Sequence, residues 1–223
     1  MGDHRHQSPG EIPVDHGAPH QSVPLTEAEW DERYASGEQI WSGQPNGALV
    51  VETRDLAPGI ALDVGCGEGA DAIWLAEQGW QVTALDVSEV ALRRGASAAQ
   101  SSGVEIEWLH AGLLEAPLRA GGYDLVSVQY PSLLRTPEQA AEHQLVGAVA
   151  PGGHLLVVHH VMDLEEARSH GFEPTDYVSP RDVAELLDHG WELSFEESRP
   201  RDVSAGAGAH HTHDVVLHAR RLP

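Results

Sequence analysis

Three glycines at alternate positions, Gly65-x-Gly67-x-Gly69, follow the apolar run Ile60–Val64 and precede a helical pattern. Such a turn lets a ligand approach the backbone, because no side chain stands in the way and glycine tolerates positive φ. Asp63 stands just before the turn, and Asp86 closes the next apolar run, Val82-Thr-Ala-Leu-Asp86. A carboxylate at that second place can accept both hydroxyls of a ribose. A pyrophosphate site would favour Gly-x-Gly-x-x-Gly and a free helix N-terminus. Here Asp63 would meet a diphosphate with its own negative charge, so a cationic ligand fits better and a nucleotide-dependent oxidoreductase fits worse.

The histidines form a second group with chemical potential, and the chain has 15 of them. His159 and His160 end the run Gly153–His160, while His210, His211 and His213 lie between the last two apolar runs. Antiparallel pairing of those last runs would return all five to one edge of the sheet, beside Tyr130. His159, His160, His211 and His213 are therefore candidate proton acceptors or acceptor-binding groups, since imidazole titrates near neutral pH. His211-x-His213 puts two imidazoles on one strand face, yet no acid or cysteine stands at a fitting spacing, so no metal is expected. Cys66, the only cysteine, allows no intramolecular disulfide and reads as a small buried residue of the turn rather than a nucleophile.

These residues need a scaffold. Short apolar runs at Ile60–Val64, Gln81–Leu85, Glu105–Leu109, Tyr123–Val128 and Gly153–His159 read as strands. They alternate with helical stripes such as Ala72, Leu75, Ala76 and Gly79. Thr26-x-x-Glu29 is a capping box, and Thr136-Pro137 and Ser179-Pro180 each place a cap residue before proline at a first helical position. Trp191–Ser198 and Asp214–Arg220 are joined by a connection too short for a crossover helix. The expected fold is α/β and Rossmann-like: a doubly wound, mostly parallel seven-stranded sheet with a C-terminal antiparallel strand pair. Residues 1–24, rich in Pro, Gly, His and acid, read as a disordered tail, 25–58 as an N-terminal helical segment and 59–223 as the main domain.

Thirteen basic residues against 35 acidic ones give a formal net charge of −22. Such a surface repels phosphate backbones and anionic membranes, so neither nucleic acid nor membrane is an expected partner. No apolar run approaches a bilayer span, and the N-terminus lacks a secretory apolar core, so a cytoplasmic location is expected. The sequence is silent on oligomeric state.

The Leu62–Gly69 turn, Asp86, the strand Tyr123-Asp-Leu-Val-Ser-Val-Gln129 and the turn Pro151-Gly-Gly153 resemble, in order, the signatures of class I S-adenosylmethionine-dependent methyltransferases. The Trp30–Tyr34 helix followed by Trp41-Ser-Gly-Gln-Pro-Asn46 resembles the thiopurine and tellurite-resistance branch. The resemblance implies S-adenosylmethionine as cofactor, with Asp63, Gly65, Cys66 and Gly67 at its methionine moiety and Asp86 at its ribose. Val87 and Leu113 would flank the adenine, the Gln129 carbonyl would face the amino group, and Trp30, Tyr34 and Trp41 would form a lid. The family's acid after the third strand is missing, since the stretch reads Ala111-Gly112-Leu113-Leu114; that loss costs on the order of 1–3 kcal/mol of binding. Gln129-Tyr130-Pro131-Ser132 replaces the pattern that grips a flipped base. A small-molecule acceptor is implied, with a thiol or other chalcogen nucleophile first and oxygen or nitrogen second. A non-catalytic cofactor-binding or metal-handling protein is the reading from a different class.

Overall fold

The computed structural model describes residues 25–37, 39–169, 172–201 and 211–223; the expected tail 1–24 and His210 lie outside the described residues. The capping box forms as read. The Thr26 hydroxyl accepts from Glu29 N and the Glu29 carboxylate from Thr26 N (2.7 Å), opening α1 (Glu27–Ala35). After a loop comes α2 (Gly47–Thr53), and then the alternation begins: β1 (Ile60–Val64), α3 (Ala70–Glu77), β2 (Gln81–Asp86), α4 (Glu89–Ser102), β3 (Glu107–His110) and β4 (Tyr123–Gln129). It continues with α5 (Ala140–Ala148), β5 (Val149–His160), α6 (Leu164–Ser169), a 3-10 turn at Pro174–Asp176, and α7 (Pro180–Leu186). β6 (Trp191–Pro200) and β7 (His213–Arg221) complete it.

The seven strands lie in the order β3-β2-β1-β4-β5-β7-β6. β1 to β5 are parallel, whereas β7 runs antiparallel to both β5 and β6. The chain winds outward from β1 to β3 and then returns to β4 on the other side of β1. That reversal leaves a crevice at the carboxyl ends of β1 and β4, where open sheets bind ligands. The central strands are apolar along their length because both faces are covered. Leu62, Val126, Leu155 and Val157 pack towards α5 and α7, and Ala61, Leu125, Leu156 and Val158 towards α2 and α3. Each such Leu or Val side chain contributes about 2 kcal/mol by leaving water.

Two local expectations are corrected. Thr136-Pro137 opens a turn, and α5 starts only at Ala140 after Gln139, which has a positive φ of 51°. Thr136 still serves as a cap, its hydroxyl accepting from Ala140 N at 3.2 Å. Pro151-Gly-Gly153 lies inside β5 at a register shift instead of preceding the strand. A Cβ at Gly153 would stand 3.0 Å from the carbonyl of Tyr123, so the neighbouring strand requires glycine there.

Candidate functional site

The crevice opens into a cavity of about 1190 Å³. Ligand pockets commonly measure roughly 300–1,000 Å³, so this cavity lies above the usual range. Its floor is the glycine turn. Gly65, Gly67 and Gly69 all have positive φ (70°, 53° and 80°), and the Gly65 and Cys66 N–H groups both donate to the Leu85 carbonyl. A Cβ at Gly67 would come within 2.9 Å of the Tyr34 hydroxyl, and one at Gly69 within 2.5 Å of the Trp108 ring. Gly67 lets α1 close over the turn, and Gly69 lets β3 pack beneath it.

Three acids cluster below that turn, and all three are buried. Asp86 is anchored to the backbone through both oxygens. One oxygen accepts from Gly67 N and the other from Ser88 N, each at 2.8 Å, which fixes the turn against the end of β2. Asp71 accepts from Asn46 N and Nδ2, both at 2.7 Å. Asp63 differs, because its Oδ2 is buried with no partner. Burial first, then the charges of Asp71 and Asp86, push its carboxyl well above the usual range. Burial likewise raises Asp86 and Asp71. Gln129, also buried, presents a second unpartnered acceptor, its Oε1, while its amide donates to Ser127. This end of the cavity therefore offers acceptors and negative charge, and what it lacks is a donor with positive charge.

The front wall comes from α1 and the loop after it. Tyr34 is buried, its hydroxyl accepts from Trp41 Nε1 at 3.0 Å, and burial raises its phenol. Arg33 lies over Trp30 and Trp41 at 5.3 and 5.9 Å. Carboxylates tie this wall to the body. Asp31 accepts from Ser88 Oγ (2.6 Å) and Val90 N, and Glu68 accepts from Ile40 N, Trp41 N and Arg94.

The far wall is built on the ends of β4, β5 and β7. Tyr130 takes a positive φ of 52°, a strained conformation for a large side chain that is held by its N–H donating to Val158 O. Its hydroxyl donates to Asp214 Oδ2 at 2.9 Å, and its ring stacks on His160 at 4.1 Å. His160 stacks in turn on His211 at 4.2 Å and meets Asp214 at 3.2 Å; Arg201 lies 5.1 Å from the Tyr130 ring. Burial, followed by Asp214, raises the Tyr130 phenol. His159 sits beside this cluster with Nε2 3.2 Å from the Pro131 carbonyl. That oxygen can only accept, so Nε2 carries the proton and Nδ1, buried without a partner, keeps a lone pair. Burial lowers His159 to about 4, which keeps it neutral.

The cavity thus gathers Trp30, Tyr34, Trp41, Asp63, Gly65, Cys66, Gly67, Asp86, Val87, Leu113, Gln129, Tyr130, His159, His160 and His211. Two expected residues stay out of its lining. Gly112 lies where a Cβ would meet the Glu115 carboxylate at 2.3 Å, and His213 turns to the Thr212 hydroxyl at 3.0 Å. Cys66 sits in the turn, half-buried and lining the cavity, and burial raises its thiol. Among the described residues no group of three or more His, Cys, Asp or Glu could hold a metal ion. Sequence reasoning missed Glu68, Arg94, Arg201 and Asp214, whose partners stand between 10 and 84 positions away.

Residues 61–153 match a methyltransferase domain family. An uncharacterized methyltransferase of Mycobacterium tuberculosis is 38% identical over 112 residues, half of this chain and 55% of that protein. The chain therefore spans about half the length of the curated relatives it matches. Among solved structures, the 1,6-didemethyltoxoflavin-N1-methyltransferase of Burkholderia thailandensis superposes with a TM-score of 0.66 at 19% identity. The match covers 96% of this chain and 94% of that one. A structure described under conversion of a disulfide bond into a thioacetal group during echinomycin biosynthesis gives 0.67 at 23% identity, covering 88% and 92%. The fold is that of the Rossmann-like methyltransferases.

Proposed function

We propose that the chain is an S-adenosylmethionine-dependent methyltransferase acting on a small molecule, with a thiol or other chalcogen nucleophile as acceptor. The observation that carries the reading is the unpartnered Asp63 Oδ2 among three buried acids, at the foot of a glycine turn that leaves the backbone bare. An α-ammonium brings the positive donors this end lacks, so the residues present fit the cofactor. Asp63, with Gly65, Cys66, Gly67 and Gln129, would hold the methionine end. Asp86, already anchored by one bond at each oxygen, keeps a second lone pair on each for ribose hydroxyls. Val87 and Leu113 would flank the adenine. The segment 25–58 acts as the lid of a domain formed by 59–223, with Trp30, Tyr34 and Trp41 facing the cofactor.

When bound, S-adenosylmethionine supplies a methyl group activated by a sulfonium charge. The chain's part is alignment and exclusion of water, which can provide much of the rate. Neither His159, held neutral to about pH 4, nor the raised Tyr130 phenol is a strong base near neutrality, which supports a soft acceptor already carrying an available lone pair. One atom favours the second reading, transfer to oxygen or nitrogen: His159 Nδ1 could accept the proton of an O–H or N–H acceptor. The net charge of −22 supports a small soluble acceptor, in the cytoplasm, over nucleic acid or a membrane surface. No helix of the described residues is long and apolar enough to cross a membrane.

Calorimetric titration with S-adenosylhomocysteine and NADH tests the cofactor. Binding of the former alone supports the proposal; preference for NADH overturns it. Product formation with small thiols, selenite, tellurite and phenols then separates an enzyme from a non-catalytic cofactor holder.

A further inference from the structure

The chain contains only 12 aromatic residues, six Trp, four Tyr and two Phe, yet six of the 12 line this one cavity. The other six, Trp74, Trp80, Trp108, Tyr123, Trp191 and Phe195, belong to the two core clusters. Half of the aromatic side chains thus stand where a ligand is met, as many as fill the core. Three of the six in the cavity belong to the front wall. The others, Tyr130, Phe172 and Tyr177, stand at the far end with His160 and His211.

Their rings are ordered as stacks. Tyr130, His160 and His211 follow one another at 4.1 and 4.2 Å with interplanar angles of 23° and 20°. Phe172 and Tyr177 form a second stack at 5.0 Å and 25°. The first stack is fixed from several sides: Asp214 holds both the Tyr130 hydroxyl and His160, and the Tyr130 backbone is kept at a positive φ. A strained conformation of this kind persists only where its surroundings over-determine it. The result is a pre-set group of rings on the cavity wall.

We infer that the acceptor is a flat aromatic or heteroaromatic ring compound, recognised by these two ring stacks. This inference rests on the methyltransferase reading for the word acceptor, although not for the binding itself. A planar ring gains an offset-stacked or edge contact with each set of rings, whereas a saturated ring of equal carbon count is thicker and has no π-face.

The test compares 2-naphthol with decahydro-2-naphthol, both neutral at pH 7, titrated calorimetrically into protein saturated with S-adenosylhomocysteine. The expected result is binding about tenfold tighter for 2-naphthol, falling to about threefold or less in Phe172→Leu and in His211→Leu. In both variants the affinity for S-adenosylhomocysteine should stay as in the parent. Equal binding of the pair, preference for the saturated alcohol, or binding of neither overturns the inference. The parent protein alone decides it if a variant fails to fold. If S-adenosylhomocysteine itself does not bind, the methyltransferase reading falls, and the same pair titrated into the protein alone still decides whether the far end is an aromatic-ring site.

Discussion

Arg94 meets Glu68 at 3.0 Å, and through that pair α4 and the glycine turn jointly grip the segment that walls the cavity. Glu68 spends its other oxygen on the N–H groups of Ile40 and Trp41, while Arg94 also donates to the Gly37 carbonyl. Glu68→Gln keeps the shape and removes the charge. We expect S-adenosylhomocysteine to bind about tenfold more weakly, since hydrogen bonds to a charged group are worth about 1.5–3 kcal/mol, with little change in Tm. Unchanged affinity in calorimetry would show that the front wall does not depend on this pair.

Asp63→Asn should move stability and binding in opposite directions. A buried carboxyl whose folded value lies above the unfolded one binds extra protons when folded, so it weakens the fold as pH rises past about 4. The amide removes that penalty, and Tm at pH 7 should rise. Cofactor affinity should fall at least about tenfold, because the ammonium loses its charged acceptor. A variant less stable than the parent at pH 7 would mean that Asp63 is already paired and ionised in the folded protein.

His159 predicts an acid limb. Its folded value of about 4 lies below the ordinary imidazole value, so the unfolded chain binds the proton first as pH falls. Its stability contribution is complete above about pH 6.5 and lost progressively down to about 4, amounting to up to about 3 kcal/mol. His154 is lowered in the same direction by burial and by His218. Denaturant midpoints from pH 7 to 4 should fall less steeply for His159→Gln than for the parent; parallel curves would remove His159 from the account.

Asp214 and Tyr130 separate folding from recognition. Asp214→Asn strips the buried anion that faces Arg201, His160 and the Tyr130 hydroxyl, and should cost about 3 kcal/mol, because it breaks a buried ion pair from one side. Tyr130→Phe removes one hydrogen bond and should cost about 1 kcal/mol while sparing cofactor affinity. Equal losses in the two variants, read from urea unfolding, would contradict the idea that the carboxylate is the hub of this cluster.

The strand–helix alternation, the antiparallel end and the glycine turn were legible because each follows from a local pattern: apolar runs of five to seven residues, positive-φ positions, and a final connection too short for a crossover. The far wall was legible only in outline. That histidines collect at the carboxyl edge follows from strand direction, but that His211 faces inward while His213 turns away depends on how the chain enters β7. The positive φ of Tyr130 has no local signature at all, since only the neighbouring strand and Asp214 impose it. Thr136-Pro137 misled for the opposite reason: a valid cap pairing was present, and the chain used it for a turn first.

The division of aromatic residues also makes the molecule its own optical reporter. Trp30 and Trp41 line the cavity, whereas Trp74, Trp80 and Trp108 pack on one sheet face and Trp191 on the other. Intrinsic fluorescence therefore has two populations: one in direct contact with whatever enters the cavity, and one that reports chiefly whether the sheet is intact. Occupancy and unfolding can be followed in the same cuvette, without a label, by which indoles change.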